Sequence, residues 1–161
     1  LFRSRSLMLK IFIFCTVILI NDGCKKDTQS ACDSLINGRA TADISELIGT
    51  WKFESFSKVS GLLSKEKPSD EYNDMSVNFT DSNSIFVRGY PNSCSGEFQI
   101  LNETTNLKII QLRCTEIASG EWEKRFIDGL RSAKCFGTKK DKLQIYFEND
   151  DKKNVMDFTK K

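Results

Sequence analysis

Six cysteines and no histidine frame the chemistry this chain can offer. A nucleophilic Ser, Cys or Thr needs a neighbouring base, and the commonest one, imidazole, is missing. Structural zinc sites draw on closely spaced Cys and His, and no two cysteines here stand in a Cys-x-x-Cys spacing. Carboxylates are plentiful enough for a glycosidase-like pair, but none stands out. Glu121, Glu123 and Asp128 fall in a stretch of helical period and read as an exposed helix face. Asp150 and Asp151 lack the spaced ligands of a dedicated calcium loop and read as a solvated turn. The stretch "PNSCSG" (Pro91 to Gly96) offers small polar groups that could line a ligand site; its plainer reading is a turn between strands. The expectation is a protein that is not an enzyme, with no catalytic residue, metal or cofactor. The cysteines remain as the reactive groups, and their roles depend on export.

Export is written at the start of the chain. Arg3, Arg5 and Lys10 precede or enter an apolar run from Leu9 to Ile20. That run is short of the roughly 20 residues a spanning helix needs. A positive start, a short apolar middle and a small residue before the cut form a secretory signal. With Met8 as initiator, "MLKIFIFCTVILINDGC" is a compact signal by itself. Cys24 sits where a lipoprotein signal places its cysteine, and "GCKKD" resembles the start of Bacteroidetes lipoproteins. Asn21 and Asp22 occupy the positions, three and two before the cysteine, where the usual lipobox carries Leu and a small residue respectively. The alternative is an ordinary secreted protein with Cys24 free or paired. Lipid on Cys24 would hold the protein on a membrane of the cell envelope, its periplasmic or cell-surface side left open. The expected organisation is a signal peptide over 1–23, a polar tether over 24–45 and a folded domain over 46–161.

The 161 residues suit one domain with a core of its own. Of 24 Lys and Arg, 21 remain without Arg3, Arg5 and Lys10; of 22 Asp and Glu, 21 remain without Asp22. A mature chain near zero net charge argues against a nucleic-acid partner, which calls for a basic patch. Cys15 leaves with the signal and Cys24 is taken by lipid. Cys32, Cys94, Cys114 and Cys135 remain, an even number in an exported chain, where disulfides are permitted.

The elements that position these cysteines follow from periodicity. Trp51 and Phe53 alternate with Lys52 and Glu54, a strand with one buried face, and Phe56 breaks the alternation, as at a bulge or strand end. Met75, Val77 and Phe79 line one face of "MSVNFT"; "DSN" turns the chain into "SIFVRGY". "GEFQIL" and "LKIIQL" form a second hairpin about "NETTN", which holds the sequon Asn102-Glu103-Thr104. The period then changes: Trp122, Phe126, Leu130 and Ala133 make a helical stripe with Ile127 on its flank, capped by Ser119. "KLQIYF" and "NVMDF" close the chain as a hairpin. A second hairpin centred on residue 104 sets Leu101 opposite Leu107, Phe98 opposite Ile110 and Cys94 opposite Cys114. Directly opposed positions lie about 4.5–5.5 Å apart at Cα, within disulfide reach. Cys94–Cys114 is therefore the expected bond, and by exclusion Cys32 pairs with Cys135 on the strand that follows the helix.

This order of strands, one helix and a closing hairpin is similar to the META/HslJ-like domain family over Leu47 to Phe158. The segments that carry the resemblance are "LIGTWKF", "VRGYPNSCSGEFQI", "TEIASGEWEKRFIDGL", "DKLQIYF" and "VMDF". Ser95 stands where many members carry Asn, and Cys114 precedes Thr115 where the family's cysteine often follows the threonine. The resemblance implies an α+β fold, a curved antiparallel sheet (an open or partial barrel) wrapped around one main helix near 120–133. It implies no catalytic residues, and an association with envelope and stress physiology. Gly49-Thr50-Trp51 also resembles the Gly-x-Trp start of lipocalins. Lipocalins place their main helix after the barrel, whereas here a hairpin follows it. Two functions follow: a lipid-anchored envelope protein acting as a binding or assembly module toward an envelope protein or ligand not identified by sequence, or a lipocalin-like carrier of a small apolar ligand.

Overall fold

The computed structural model describes residues 43–59, 65–101, 105–149 and 152–161. The signal segment, Cys24, Cys32, the sequon and the Asp150-Asp151 turn lie outside the described residues.

A single helical turn, α1 (Ile44–Leu47), opens the fold, its first turn capped by the Asp43 carboxylate, which accepts from the Ser45 amide at 2.9 Å. The strands are β1 (Gly49–Lys58), β2 (Ser76–Phe79), β3 (Ser84–Arg88), β4 (Ser93–Leu101) and β5 (Asn106–Cys114), then β6 (Ala133–Lys139), β7 (Lys142–Asn149) and β8 (Lys152–Lys160). Helix α2 (Glu121–Arg131) stands between β5 and β6, and a 3-10 turn (Asp70–Tyr72) precedes β2. Each strand pairs antiparallel with the next, and β8 pairs with β1, so the sheet is a closed barrel rather than the open or partial one expected. Closure depends on the length of β1. Its first residues pair with β2, and Trp51 to Lys58 pair with β8. A closed sheet leaves no long unpaired edge. Its thinnest seam is between β5 and β6, which pair only at Asn106↔Cys135 among the described residues.

The alternating apolar residues point into the barrel. Trp51, Phe53, Phe79, Phe98, Phe147 and Phe158 are among those buried there, each worth on the order of 1.5–3 kcal/mol relative to exposure. Trp51 also donates its indole N–H to the Leu47 carbonyl at 2.7 Å, which fixes α1 to the start of β1. The register shift in β1 falls between Phe53 and Ser55, just ahead of the expected break at Phe56.

Helix α2 contributes to the same core. Phe126 is fully buried, its ring 5.0 Å from that of Phe53 and 6.2 Å from that of Phe158. Trp122 stacks on Phe56 at 5.6 Å. The helix ends at Arg131, so Ala133, read from sequence as the end of the helical stripe, belongs to β6. Arg131 reaches back to β5, donating to the Leu112 carbonyl at 3.3 Å. The N-cap is Gly120, not Ser119, and no side chain caps it. A Cβ at Gly120 would overlap the Tyr72 hydroxyl, so the position is set by close packing rather than by capping chemistry.

The other side of α2 meets water through Arg125, whose guanidinium lies 4.0 Å from the centre of the Phe56 ring and 2.5 Å from the Glu66 carboxylate. The hydrogen bond from Arg125 holds the Glu66 carboxyl below its ordinary value of 4.5. A lowered folded-state pKa stabilises above the unfolded value and loses that contribution as pH falls through the folded one. Glu66→Gln should therefore cost up to about 1 kcal/mol at pH 7, the pair being half-exposed. Urea melts should show the gap between wild type and variant closing as pH falls below the ordinary carboxylate range. A gap that stays constant down to pH 2 would show that the charge contributes nothing.

Candidate functional site

The second hairpin does bring Cys94 opposite Cys114, with 4.0 Å between Cα atoms and a disulfide between them. The expected register is correct at that end and one residue off near the turn, where Leu101 faces Asn106 and Phe98 faces Ile109. Ile110 is the extra residue. It bulges between Glu97/Gln111 and Phe98/Ile109 and stands 40% exposed. The cause is legible in "LKIIQL": the buried residues Leu107, Ile109 and Leu112 are spaced by two, then three, which a strand can satisfy only with a bulge. Cys135 is also disulfide-bonded; Cys32, its expected partner, lies outside the described residues.

The disulfide borders the most heavily wired part of the described molecule. Loop 89–92, between β3 and β4, carries a cis bond between Tyr90 and Pro91. The Gly89 amide donates to the Asn92 carbonyl at 2.8 Å. Asn92 is buried, and every polar atom of its side chain is engaged. Its Nδ2 donates to the Ile117 carbonyl and to Glu123 Oε2, both at 2.9 Å. Its Oδ1 accepts from the Thr115 hydroxyl and from the Ile117 amide, also at 2.9 Å. The Asn92 amide donates to Glu123 Oε1 at 2.8 Å. One asparagine thus ties the β3–β4 loop to the β5–α2 loop and to the first turn of the helix.

Glu123 corrects the reading of the helix. It is 0% exposed rather than part of a solvated face. The signal that finds it is its spacing: it stands three and four residues before Phe126 and Ile127, on the buried stripe. A carboxylate taken out of water needs donors, and Asn92 supplies them to both oxygens. It also sits at the positive end of α2. Gly89 leaves room for it, since a Cβ there would meet the carboxylate. Enclosed in this way, Glu123 organises the loops and meets no solvent. Burial first, then the charge of Glu71, raises the phenol pKa of nearby Tyr72. Asp128 is partly exposed and pairs with Arg131, and Glu121 is exposed. "PNSCSG" divides between a tight turn and the start of β4, and its asparagine is a structural link.

This end presents two large apolar side chains outward among exposed polar ones such as Arg88, Glu116 and Glu121. Tyr90 is 54% and Ile117 56% exposed. Tyr90 packs edge-on against Tyr72, ring centres 6.0 Å apart. Both exposed residues are held on loops whose backbone is fixed by Asn92. Among the described residues, no cluster of three or more His, Cys, Asp or Glu is placed to hold a metal ion, and no helix is long and apolar enough to cross a membrane.

No protein-family model and no curated protein matches the chain. Solved structures that resemble the fold include the following two. One is a DUF4847 family protein from Bacteroides vulgatus ATCC 8482, with a TM-score of 0.58, 14% identity, and coverage of 69% of this chain and 91% of that one. The other is a protein from Burkholderia xenovorans, with a TM-score of 0.51, 12% identity, and coverage of 73% and 86%. At such identities the likeness shows the fold alone.

Proposed function

We propose that this is a lipid-anchored envelope protein whose barrel works by contact, as a binding or assembly module, through the loop end that presents Tyr90 and Ile117. The observation that carries this reading is the interior: Phe126 and Leu130 of α2 are fully buried among the strand aromatics, where a carrier would keep space for its ligand. A rigid, hydrogen-bonded frame holding exposed apolar side chains suits recognition of a protein surface, because little ordering entropy is left to lose on binding. The partner would be another envelope component. The META/HslJ-like kinship and its link to envelope stress belong to the same reading, supported by the helix placed ahead of the last strands. No catalytic step is part of it.

The carrier reading has one specific point in its favour, the closed eight-strand barrel beginning at Gly49-Thr50-Trp51. The two separate cleanly. A soluble form starting at Lys25 should show no saturable uptake of a fluorescent fatty acid. Stoichiometric uptake would replace the contact module by the carrier.

The anchor is tested independently of the barrel. Labelled palmitate should enter the wild-type protein in cells and be absent from Cys24→Ser, with the variant recovered in the soluble fraction. Equal labelling of the two removes the anchor from the proposal and leaves a secreted module.

A further inference from the structure

Strands β3, β4 and β5 form one wall of the barrel, and its outer face mixes two kinds of side chain. Phe86, Leu101 and Ile110 are 51%, 41% and 40% exposed. Arg88, Lys108 and Arg113 are exposed beside them, and Glu97 is the one acid in the three strands. None of these three cations pairs with a carboxylate among the described residues. Arg113 donates to its neighbour Gln111 at 3.3 Å.

The register sets these groups side by side. Phe86 lies between Asn78 and Ser95, and Ser95 lies opposite Arg113. Phe86 and Arg113 are thus two strands apart, about 10 Å, and Arg88 follows Phe86 on the same face of β3 after about 7 Å. Ser95 between ring and guanidinium is short, so both stand above the sheet. The bulge adds an apolar group to this face. Ile109 and Leu112 are buried, and Ile110, the extra residue between them, is left outside.

Single apolar groups spaced among unpaired cations match a surface that is anionic on top and apolar beneath. Cations meet phosphates there, and apolar side chains reach the acyl boundary. We propose that the outer face of β3, β4 and β5 docks flat on a bilayer containing anionic phospholipid, with Phe86 and Ile110 entering the headgroup layer and Arg88, Lys108 and Arg113 on the phosphates. A second copy is a poorer occupant. Two-fold contact presents the same patch from both sides and would set these cations against one another. The wall of β6, β7 and β8 carries more lysines but none of the exposed large apolar side chains. There the pairing of β6 with β7 skips Lys134 and turns Cys135 outward beside Tyr146, and both are buried. The docking goes beyond the contact role of the Tyr90 and Ile117 end and rests on neither that role nor lipid on Cys24.

Hydroxyl-radical footprinting of the full exported chain, read by mass spectrometry, tests the wall. The purified protein is mixed with phosphatidylcholine vesicles made with or without phosphatidylglycerol. With phosphatidylglycerol, oxidation of Phe86 and Ile110 should fall several-fold. Ile44 is 42% exposed on α1, whose Glu46 bonds Thr138 of β6; it should keep its rate. Each cation at an anionic surface is worth about fivefold in partition, so R88Q/R113Q should weaken docking about 25-fold and lose the protection, while R88K/R113K keeps it. High salt should release the wild-type wall in the same way, a check that needs no variant. Unchanged oxidation at Phe86 on phosphatidylglycerol vesicles overturns the docking, whether the chain is bound through lipid or free. Equal protection on phosphatidylcholine alone would be adsorption without charge recognition and overturns it too. Protection that grows with protein concentration in the absence of vesicles assigns the wall to a second copy instead.

Discussion

Phe126→Ala should lower the free energy of unfolding by about 3–5 kcal/mol, the range for truncating a buried aromatic side chain. The ring is fully buried and packs against Phe53 and Phe158 on the inner walls of β1 and β8. Its removal leaves a cavity between helix and sheet that neighbouring strands, held by ladders on both edges, can close only in part. Urea melts by fluorescence of Trp51 and Trp122 measure the loss. A change under 1 kcal/mol would mean that α2 only flanks the barrel, and the filled interior behind the contact reading would fail with it. The same variant offers a second readout. A dry apolar cavity admits small apolar guests, so Phe126→Ala should bind benzene-sized probes that wild type excludes.

A loss of similar size is expected from Asn92→Ala, for a different reason. The substitution removes four side-chain hydrogen bonds and strands the fully buried Glu123 carboxylate, whereas Thr115 and Ile117 are exposed and can turn to water. Glu123 keeps the Asn92 amide at Oε1 and loses the donor at Oε2. A buried group left unsatisfied costs about 1–3 kcal/mol and a charged one more, so the total should reach about 3–5 kcal/mol. The test that separates a network from a single contact is the double-mutant cycle with Glu123→Gln. The two losses should be strongly non-additive, because each change breaks the same bond. Additive losses would show that Asn92 and Glu123 act independently. Tyr90 and Ile117 should also become more mobile in Asn92→Ala, visible as faster amide exchange at Ile117, whose N–H loses its acceptor.

Much of this arrangement is written locally. Alternation placed the strand faces at Trp51/Phe53, Met75/Val77/Phe79 and Leu143/Ile145/Phe147, because a strand with one wet side must alternate. The helical stripe at Phe126, Ile127 and Leu130 follows from the same reasoning at a different period. Cys94–Cys114 was reachable because a hairpin couples positions only twenty residues apart in sequence. Even there the bulge at Ile110 shows how little margin existed: the register near the turn was off by one, and the extra residue restored it before the cysteines.

Other features belong to the tertiary structure alone. Whether the sheet closes depends on β8 meeting β1, a pairing of segments about a hundred residues apart, which no local pattern encodes. The burial of Glu123 depends on Asn92, 31 positions away; its spacing sets it on the buried stripe, but the donors that let a carboxylate stay there are not local. The outward burial of Cys135 and Tyr146 depends on the unpaired Lys134, which turns β6 by one residue. The physical reason is common to all three. Periodicity reports which side of an element is apolar, because that preference is carried by neighbouring side chains. What a polar or outward side chain meets is decided by whichever distant segment arrives to desolvate it, and that contact exists only once the barrel has closed.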